Sequence, residues 1–572
     1  MKKKYNIRKL TKNFFSIIKL FGLSKIFLLS FLIIIVMLLE VLSIGLIIPI
    51  ISVLENENYL NQFSQHFVFL KNLTHLEQII SIIILLCSVF FIKFIFLIFV
   101  NYQQFKYSMF LQSEISNKLI NKYLMMSYES YFQVKSSEIL RNIKEDAGNF
   151  VHGVLIPVIN ITTELLVIIG IAILLVSQIG IFSFSIILLF IIFCISYIKL
   201  SRKTILQLGN QRFLLDEKII NASNETFSGI REIKVNSVEN YFLMFFKKLF
   251  EKNAKNVRKF LTFQVIPRLS IELLLVIFLS IMMFFLIIKG VSFAKVITIL
   301  GLFSVAAIRL IPSTNKIMLS QQNIRFYFVS IDNLARELNY SKKNITKKKI
   351  INFSSLIELK KIGFSYSKKD PYILRDFNFS IKKGEKIGII GKSGSGKSTF
   401  VDILSGLLTS FDGSYLVDFK PINFNKYTWG RKIGYVSQNT FIFNDTIKFN
   451  ISFDNKKKNS EIFEVLKTVE MLKFVKKQKN SLNSPVGENA IKLSGGQIQR
   501  LGIARSIFFK PDILILDEAF SGIDNSTEKK ILKNVLKLYK NMTIINIAHK
   551  GKSLDYCDSI YKILNKKLKK VK

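Results

Sequence analysis

The sequence contains few cysteines. Its 572 residues include only Cys87, Cys194 and Cys557, and the first two lie in strongly apolar stretches. Three cysteines with this spacing form neither a disulfide framework nor a metal-binding pattern. Their scarcity is typical of a protein whose polar parts face a reducing cytoplasm.

Acidic residues are also scarce. Asp and Glu total 39 against 81 Lys and Arg, which gives a formal net charge of +42. Such a charge is found in nucleic-acid-binding proteins. Here, however, the basic residues flank apolar stretches or are scattered over polar segments, and no motif combines basic and aromatic residues as in nucleic-acid readers. We therefore expect a membrane protein and no nucleic-acid partner.

Length and hydropathy divide the chain into two parts. A chain of 572 residues is too long for one core, so at least two domains are expected. Residues 1–330 carry apolar runs of about 20 residues or more, the length that crosses ~30 Å of hydrocarbon. After residue 345 the pattern changes to short apolar strands, turns and charged helices, as in a soluble α/β domain.

The membrane part is predicted to contain six transmembrane helices. The run 26–54 follows a basic N-terminus like a signal peptide, but it is too long for an h-region, so we interpret it as a retained helix. Basic residues are concentrated before this span and between spans 4 and 5, which predicts cytoplasmic N- and C-termini. The predicted spans are 25–54, 79–103, 154–177, 181–200, 264–288 and 292–312.

The connections between the spans differ in length and character. The inner connections 104–153 and 201–263 are long and helix-compatible, which indicates that the membrane helices continue into the cytoplasm, with tips at 127–141 and 221–234. The outer loop 55–78 is amphipathic and is predicted either to lie in the membrane interface or to pack on its own span. The predicted divisions are a transmembrane domain at 1–337, a linker at 338–350 and a soluble domain at 351–572.

The first functional motif in the soluble domain is a phosphate-binding loop. Residues 391–399 match Gly-x-x-x-x-Gly-Lys-Ser/Thr, between a predicted buried strand, 386–390, and a predicted helix, 397–407. The glycines allow backbone N–H groups to turn toward phosphates at a helix N-terminus. Lys397 supplies a cation for the β- and γ-phosphates, and Ser398 a hydroxyl for Mg²⁺. The candidate ATP-binding residues here are Gly391, Ser393, Gly394, Ser395, Gly396, Lys397, Ser398 and Thr399.

Two carboxylates follow an apolar strand. Residues 513–516 are Ile-Leu-Ile-Leu, and Asp517 and Glu518 come next. Asp517 is predicted to hold Mg²⁺ through water, and Glu518 to polarise the attacking water. His549 ends another predicted strand, 543–548, and is a candidate contact to the γ-phosphate.

With Leu493-Ser494-Gly495-Gly496-Gln497, these motifs occur in family order, and residues 350–560 resemble the nucleotide-binding domain of ATP-binding cassette (ABC) transporters. The one small departure is Gly522, where Ala is usual. The resemblance implies that Tyr366 stacks on adenine and Gln438 senses the γ-phosphate and Mg²⁺. It also implies that Gly487-Glu488 presses on the membrane domain. Ser494, Gly495 and Gly496 would close the ATP site of a partner chain, and Asp524 would communicate between the two sites.

The resemblance extends to the membrane part. Six spans ahead of one cassette resemble the half-transporter layout of bacterial exporters, and the segments 131–141 and 229–234 resemble that family's coupling segments. The implied fold is a polytopic α-helical membrane domain of exporter type fused to an α/β P-loop ATPase. One cassette per chain implies a dimer, most simply a homodimer, in the bacterial inner membrane.

The cargo is the least determined property. Charged residues near the spans are candidates for substrate contact, because charge in a membrane is costly. We select Arg268 and Arg309 for a pyrophosphate-bearing cargo, with the alternative that such residues pair with one another or reach the interface. Short motifs at 40–49 and 309–313 resemble flippases of lipid-linked oligosaccharides. A lipid A-like glycolipid, peptides and drugs remain alternatives, whereas six spans exclude a soluble cassette ATPase.

Overall fold

In the computed structural model, the described secondary structure before residue 341 is entirely helical, and strands occur only after it. The described residues are 7–19, 24–46, 75–179, 182–290, 293–340, 348–367, 369–487, 492–548 and 554–571. The chain forms two units, Met1–Met126 with Val134–Asn344, and Ser127–Gln133 with Ile345–Lys572. The second part of the second unit begins at Ile345, within the predicted linker, 338–350.

The first unit consists of helices. In chain order they are α1 Ile7–Lys19, α2 Ser24–Gly45, α3 His75–Met125, α5 Ser136–Leu140, α6 Ala147–Phe150, α7 Ile156–Ile179, α8 Phe182–Ser228, α9 Ile230–Val235, α10 Glu239–Ile288, α11 Phe293–Phe326 and α12 Phe328–Tyr340. The short helix α4, Tyr128–Phe132, belongs to the second unit.

Four of the described helices are long and apolar enough to cross a membrane. These segments are Phe27–Gly45, Ile79–Met125, Ser136–Leu174 and Glu239–Ile288, and they carry the first, second, third and fifth predicted spans. The fourth and sixth predicted spans fall on α8 and α11. The end of the first predicted span and the outer loop up to residue 74 lie outside the described residues.

Several helices are longer than a bilayer requires. Helices α3, α8 and α10 contain 51, 47 and 50 residues. At 1.5 Å per residue each exceeds the ~30 Å hydrocarbon core by far. The helices therefore extend beyond the membrane, as the long polar inner connections indicate.

Close helix packing brings α2 against α7. Gly170 of α7 faces Val41 of α2, and a Cβ at position 170 would collide with the Val41 side chain. A glycine is needed here because it lets the two helices approach at this point. The same helix α7 also packs along α11, so α2, α7 and α11 form a continuous group.

Between α5 and α7 the helical hydrogen-bonding pattern changes twice. The segments Arg141–Asp146 and Val151–Leu155 are π-helical, on either side of α6. Arg141 is buried, and its Nη1 donates to Glu217 Oε2 of α8 at 2.8 Å. Asn333 Nδ2 of α12 donates to Asp146 Oδ2 at 2.8 Å. Buried polar contacts thus join this irregular segment to α8 and α12.

The second unit is built on two larger sheets and a short two-stranded pair. Its strands are β1 Lys349–Ile350, β2 Leu356–Phe364, β3 Leu374–Lys382, β4 Lys386–Ile390, β5 Asp412–Val417, β6 Lys420–Pro421, β7 Tyr427–Thr428, β8 Ile433–Val436, β9 Ile513–Asp517, β10 Thr543–Ile547, β11 Ser559–Leu564 and β12 Lys567–Lys570. The six-stranded sheet has the order β12-β11-β4-β10-β9-β8, and the four-stranded sheet the order β3-β2-β5-β6. The pair β1-β7 is parallel.

The six-stranded sheet is parallel except for β12, which runs antiparallel to β11. Every residue of β9 and β10 is buried. This explains their continuous apolar sequences, because a central parallel strand is covered on both faces. The helices of this unit after α4 are α13 Lys397–Leu404, α14 Ile447–Ser452, α15 Asn459–Thr468, α16 Leu472–Lys477, α17 Gly495–Phe508 and α18 Asn525–Leu538.

Candidate nucleotide-binding site

The carboxyl ends of four neighbouring parallel strands bring the predicted site residues together. Strand β4 ends at Ile390, directly before the glycine loop, and β9 ends at Asp517, directly before Glu518. Strand β10 lies between them, with Ile547 opposite Asp517, and β8 lies on the far side of β9, two residues before Gln438. Ligands of open α/β sheets bind at this edge.

The glycine loop has the backbone conformation that its sequence predicts. Gly396 has φ +97° and Gly394 has φ +75°, which are left-handed values suited to glycine. Lys397 begins α13 and is buried, and its Nζ donates to Gly391 O at 2.8 Å and to Lys392 O at 3.2 Å. The loop therefore surrounds the ammonium group of Lys397 at the N-terminus of α13. The positive charge and the helix N-terminus both favour the binding of phosphate.

Asp517 and Glu518 have different surroundings although they are adjacent. Asp517 is buried, whereas Glu518 is partly exposed and has φ +50°. That left-handed conformation costs energy for a residue with a Cβ and is typical of functional sites. Gln438 Nε2 donates to Glu518 Oε2 at 2.7 Å, so the amide orients the predicted water-polarising carboxylate.

Two residues that the sequence analysis missed lie near Asp517. Tyr435 of β8 donates its hydroxyl to Asp517 Oδ2 at 3.3 Å. Asp402 lies on α13, and burial together with the charge of Asp517 raises the pKa of Asp402 to about 6. Burial, with a smaller effect from Glu518, also raises the pKa of Asp517. Helical spacing offered a signal for Asp402, because it lies four residues after Ser398, on the same helix face.

The residues present suit ATP and Mg²⁺. A cavity of about 350 Å³ is lined by Ile373, Ser393, Gly394, Gly396, Lys397, Ser398, Thr399, Gln438, Asp517 and Glu518. The hydroxyl of Ser398, the amide oxygen of Gln438 and the carboxylate of Asp517 are hard oxygen ligands, as Mg²⁺ prefers. Tyr366 is half exposed, and its hydroxyl lies 3.4 Å from Thr399 Oγ1, so its ring is near the cavity and open to stacking.

The signature residues do not line this cavity. Ser494 caps the N-terminus of α17, where its hydroxyl accepts from Gln497 N and its own N–H donates to the Gln497 side chain. Asp524 caps α18, and hydrogen bonds from Ser526 and Thr527 lower its pKa. Gly495 and Gly496 follow Ser494 in α17. His549 and Glu488 lie outside the described residues.

Within the second unit, helix α4 contacts the segment that contains Thr409 and Ser410 through a carboxylate. Glu129 Oε1 accepts hydrogen bonds from the backbone N–H groups of Thr409 and Ser410, and Oε2 accepts from Ser410 Oγ at 2.6 Å. Burial would raise the pKa of Glu129, but these hydrogen bonds outweigh it and lower the pKa. The sequence marked this segment as a coupling tip, without a signal for Glu129 itself.

The two arginines selected for cargo are both in ion pairs. Arg309 of α11 lies between Glu40 of α2 and Glu164 of α7, with Nη2 at 3.2 and 3.4 Å from their carboxylate oxygens. Arg268 pairs with Glu272 at 2.9 Å on the exposed side of α10. In the structure, both arginines are therefore paired with other charged residues near the spans, as the alternative interpretation predicts. A contact of either arginine with cargo stays a prediction.

Comparison with known proteins agrees with this architecture. Residues 374–521 match the family described as ABC transporter. Over 94% of both chains, the structure resembles a bacterial Atm1-family ABC exporter with ATP bound, with a TM-score of 0.78 at 18% sequence identity. Residues 374–521 therefore belong to an ABC transporter domain, and the fold of the chain is that of an ABC exporter.

Sequence relatives cover a smaller part. The chain is 40% identical over 207 residues to a putative export ATP-binding/permease protein of Rickettsia prowazekii, covering 36% of each. It is 35% identical over 238 residues to the ATP-dependent lipid A-core flippase of Pasteurella multocida, covering 40% of each. A multidrug resistance-like ATP-binding protein of Buchnera aphidicola is 39% identical over 221 residues, covering 38% of each. Each match spans well under half of the relative's length.

Replacing Glu518 by Gln should separate ATP binding from ATP hydrolysis. Glu518→Gln keeps the glycine loop and Lys397 but removes the carboxylate, so ATP turnover should fall by about 100-fold or more while ATP still binds. Lys397→Ala should weaken nucleotide binding itself. Steady-state hydrolysis and nucleotide binding by the purified protein in lipid measure the two effects. Hydrolysis by Glu518→Gln at the wild-type rate would contradict the assignment of Glu518.

Asp402→Asn should stabilise the second unit at high pH. Because the folded state raises the pKa of Asp402 to about 6, its stabilising proton is fully bound below pH ~4 and is lost as pH rises through ~6. The Asn variant should therefore gain about 1 kcal/mol at pH 8 and little at pH 4, after allowance for partial exposure. Urea unfolding without nucleotide, followed by the fluorescence of the only tryptophan, Trp429, would measure this.

Asp418→Asn provides a control of opposite sign. Asp418 accepts hydrogen bonds from three backbone N–H groups, and these outweigh burial and lower its pKa. Its contribution to stability is present above the unfolded pKa and is lost as pH falls, so Asp418→Asn should destabilise the unit at pH 8. Equal shifts at all pH values in both variants would contradict the electrostatic explanation.

Proposed function

We propose that the chain is one half of an ATP-driven exporter that flips an anionic, amphipathic lipid across the bacterial inner membrane. The cargo we favour is an oligosaccharide linked to a polyprenyl pyrophosphate. The observation that carries the ATP-driven part is the convergence of Lys397, Asp517, Glu518 and Gln438 on one cavity. The observation that favours an anionic cargo is the cationic cluster around Arg309 in the membrane helices, in which Lys93, Arg309 and Lys316 contact only two carboxylates in the described part of the chain, Glu40 and Glu164.

The site residues divide the work of phosphoryl transfer. The backbone of the glycine loop and Lys397 would hold the phosphates of ATP. Gln438 orients Glu518 through their 2.7 Å hydrogen bond, and Glu518 would orient the attacking water and accept its proton. Mg²⁺, when bound by Ser398, Gln438 and Asp517, neutralises phosphate charge. The tyrosine Tyr435 holds Asp517 in place from β8.

A homodimer would complete the ATP site. Ser494, Gly495 and Gly496 lie at the N-terminus of α17 and do not line the cavity of their own chain. A helix N-terminus with a serine cap and two glycines suits a phosphate approached by the backbone. A second copy of the chain would supply these residues across the interface, and two-fold symmetry would complete a second, identical site.

An apolar cavity is lined by residues that are adjacent in sequence to members of the cationic cluster. A cavity of about 320 Å³ between α7, α8 and α11 is lined almost entirely by apolar side chains. Three of its lining residues, Leu165, Leu310 and Ile317, directly follow Glu164, Arg309 and Lys316. Charged and apolar surfaces in such proximity suit a cargo with an anionic head group and a hydrocarbon tail.

A lipid A-like glycolipid is the second candidate. It is also anionic and amphipathic, and one relative is an ATP-dependent lipid A-core flippase. Peptides or drugs are a weaker alternative, supported by the multidrug resistance-like relative. The cationic cluster favours either lipid over a neutral drug, because an anion compensates its excess positive charge.

Lesions on separate chains should test the shared ATP site. In a heterodimer of a Lys397→Ala chain and a Ser494→Arg chain, both lesions fall in one site and the other site stays intact. ATP hydrolysis by this heterodimer should therefore exceed that of either mutant homodimer. Tandem purification through two different tags isolates the heterodimer for the measurement.

The matched control carries both lesions in one chain, paired with a wild-type chain. This arrangement puts one lesion in each site, so hydrolysis should stay at the level of the mutant homodimers. If each chain works alone, the order is reversed: the control, which keeps one wild-type chain, hydrolyses more ATP than the heterodimer with lesions on separate chains, and the homodimer proposal fails.

Arg309→Ala should reduce cargo transport more than ATP hydrolysis. A pyrophosphate cannot cross ~30 Å of hydrocarbon without compensation, and an arginine in a low-dielectric site interacts strongly with it. We expect the number of lipids moved per ATP hydrolysed to fall about tenfold or more. The assay is flipping of a fluorescent polyprenyl-pyrophosphate oligosaccharide in proteoliposomes, with ATP hydrolysis recorded in parallel.

Arg268→Ala tests the second selected arginine in the same assay. Because Arg268 is exposed and paired within its own helix, its loss should reduce transport less than the loss of Arg309. If the wild-type protein moves a lipid A-like glycolipid or a peptide but no polyprenyl-pyrophosphate sugar, the cargo assignment is wrong and the exporter assignment survives.

A further inference from the structure

Five charged side chains form one network inside the first unit. Lys93 Nζ of α3 lies 2.8 Å from Glu40 Oε2, and Arg309 Nη2 lies 3.2 Å from the other oxygen of the same carboxylate. Arg309 Nη2 also lies 3.4 Å from Glu164 Oε2, and Lys316 Nζ lies 3.0 Å from Glu164 Oε1. The network joins α2, α3, α7 and α11.

The two carboxylates are the buried centre of this network. The side chains of Glu40 and Glu164 are 4% and 3% exposed, whereas Lys93, Arg309 and Lys316 are 15%, 26% and 46% exposed. Four of the five residues lie within the predicted spans, and Lys316 lies just beyond one. Burying ions in this way is costly, and the cost is recovered only through good pairing.

The charges in the network do not cancel. Lys93, Arg309 and Lys316 contribute three positive charges, and Glu40 and Glu164 contribute two negative charges, which leaves one positive charge in excess. Uncompensated charge in a low-dielectric region attracts a counter-ion strongly. The excess therefore favours an anionic ligand over a neutral or cationic one.

The guanidinium of Arg309 retains donor capacity. Its Nη2 lies at ion-pair distance from two carboxylates, and Nε is buried and, like Glu164 Oε2, has no hydrogen-bond partner among the described residues. A buried donor without an acceptor is unfavourable. A phosphate oxygen would satisfy Nε, and the Nε–Nη2 edge of arginine binds phosphate in a bidentate manner.

We propose that Glu40 and Glu164 set the charge selectivity of an intramembrane pyrophosphate site at Arg309. The two carboxylates hold the three cations together, limit the excess to one positive charge, and compete with the incoming anion for Nη2 of Arg309. Affinity for a pyrophosphate head group then follows the net charge of the network. This inference rests on the proposed anionic-lipid function and deepens it.

The test compares three variants that change the net charge of the network. Glu164→Gln raises the net charge of the network to +2, Lys316→Met lowers it to 0, and the double variant restores +1. The concentration of a short-chain polyprenyl pyrophosphate that half-stimulates ATP hydrolysis in nanodiscs should fall about tenfold in Glu164→Gln and rise about tenfold in Lys316→Met. In the double variant it should return to within about twofold of the wild-type value.

Controls distinguish the charge effect from damage to the fold. Glu40→Gln should repeat the direction of Glu164→Gln from another helix, so the test does not depend on one variant that folds poorly. Glu239→Gln removes the same charge from the exposed Lys234–Glu239 pair at the start of α10 and should leave half-stimulation within about twofold of wild type. The corresponding polyprenyl alcohol should stimulate none of the variants through this site.

Four outcomes would overturn the inference or its basis. Weaker stimulation in both single variants without recovery in the double variant would mean that the carboxylates act only as structural partners. Equal stimulation by inorganic pyrophosphate would overturn the assignment to a lipid head group. If polyprenyl pyrophosphate does not stimulate the wild-type protein at all, the proposed cargo is wrong and the exporter assignment survives. If it stimulates wild type and all variants equally, only the charge-selectivity inference fails.

Discussion

The parallel pairing of β4, β10, β9 and β8 is the constraint on which the nucleotide site depends. Each predicted catalytic element follows the carboxyl end of one of these strands, so backbone register alone brings Lys397, Glu518 and Gln438 to one edge. Side-chain contacts then refine the arrangement, as in the hydrogen bond from Gln438 to Glu518. A change that shifted the register of β9 would displace both carboxylates at once.

The same electrostatic rule governs both units. Charge that is removed from water must be paired, hydrogen-bonded or protonated. Asp402 is protonated more readily, because burial raises its pKa. Glu129 is hydrogen-bonded, because it accepts from the N–H groups of Thr409 and Ser410. In the membrane helices Glu40 and Glu164 are paired with three cations, which leaves one positive charge without a carboxylate.

Local sequence predicted the parts of the structure that are local in origin. The glycine loop, the strand before Asp517 and the apolar spans each depend on residues close together in the chain, and the structure contains them where the patterns indicate. Ion pairs such as Glu164–Lys316, 152 residues apart, depend on helix packing and left no local signal. The π-helical segments around Arg141 and Val151 likewise depend on tertiary contacts that no propensity describes.

Specificity for cargo has to be argued from the membrane helices themselves. The ABC transporter family match covers 374–521, and the sequence relatives align over about two fifths of the chain or less. None of Glu40, Lys93, Glu164, Arg309 and Lys316 lies in the family match. Because ATP hydrolysis is common to the family whereas cargo differs, a residual positive charge beside Arg309 is a more direct guide to cargo than likeness of the ATP site. Under the function proposed above, the network would select by charge, and an anionic lipid head group would supply the charge that the network lacks.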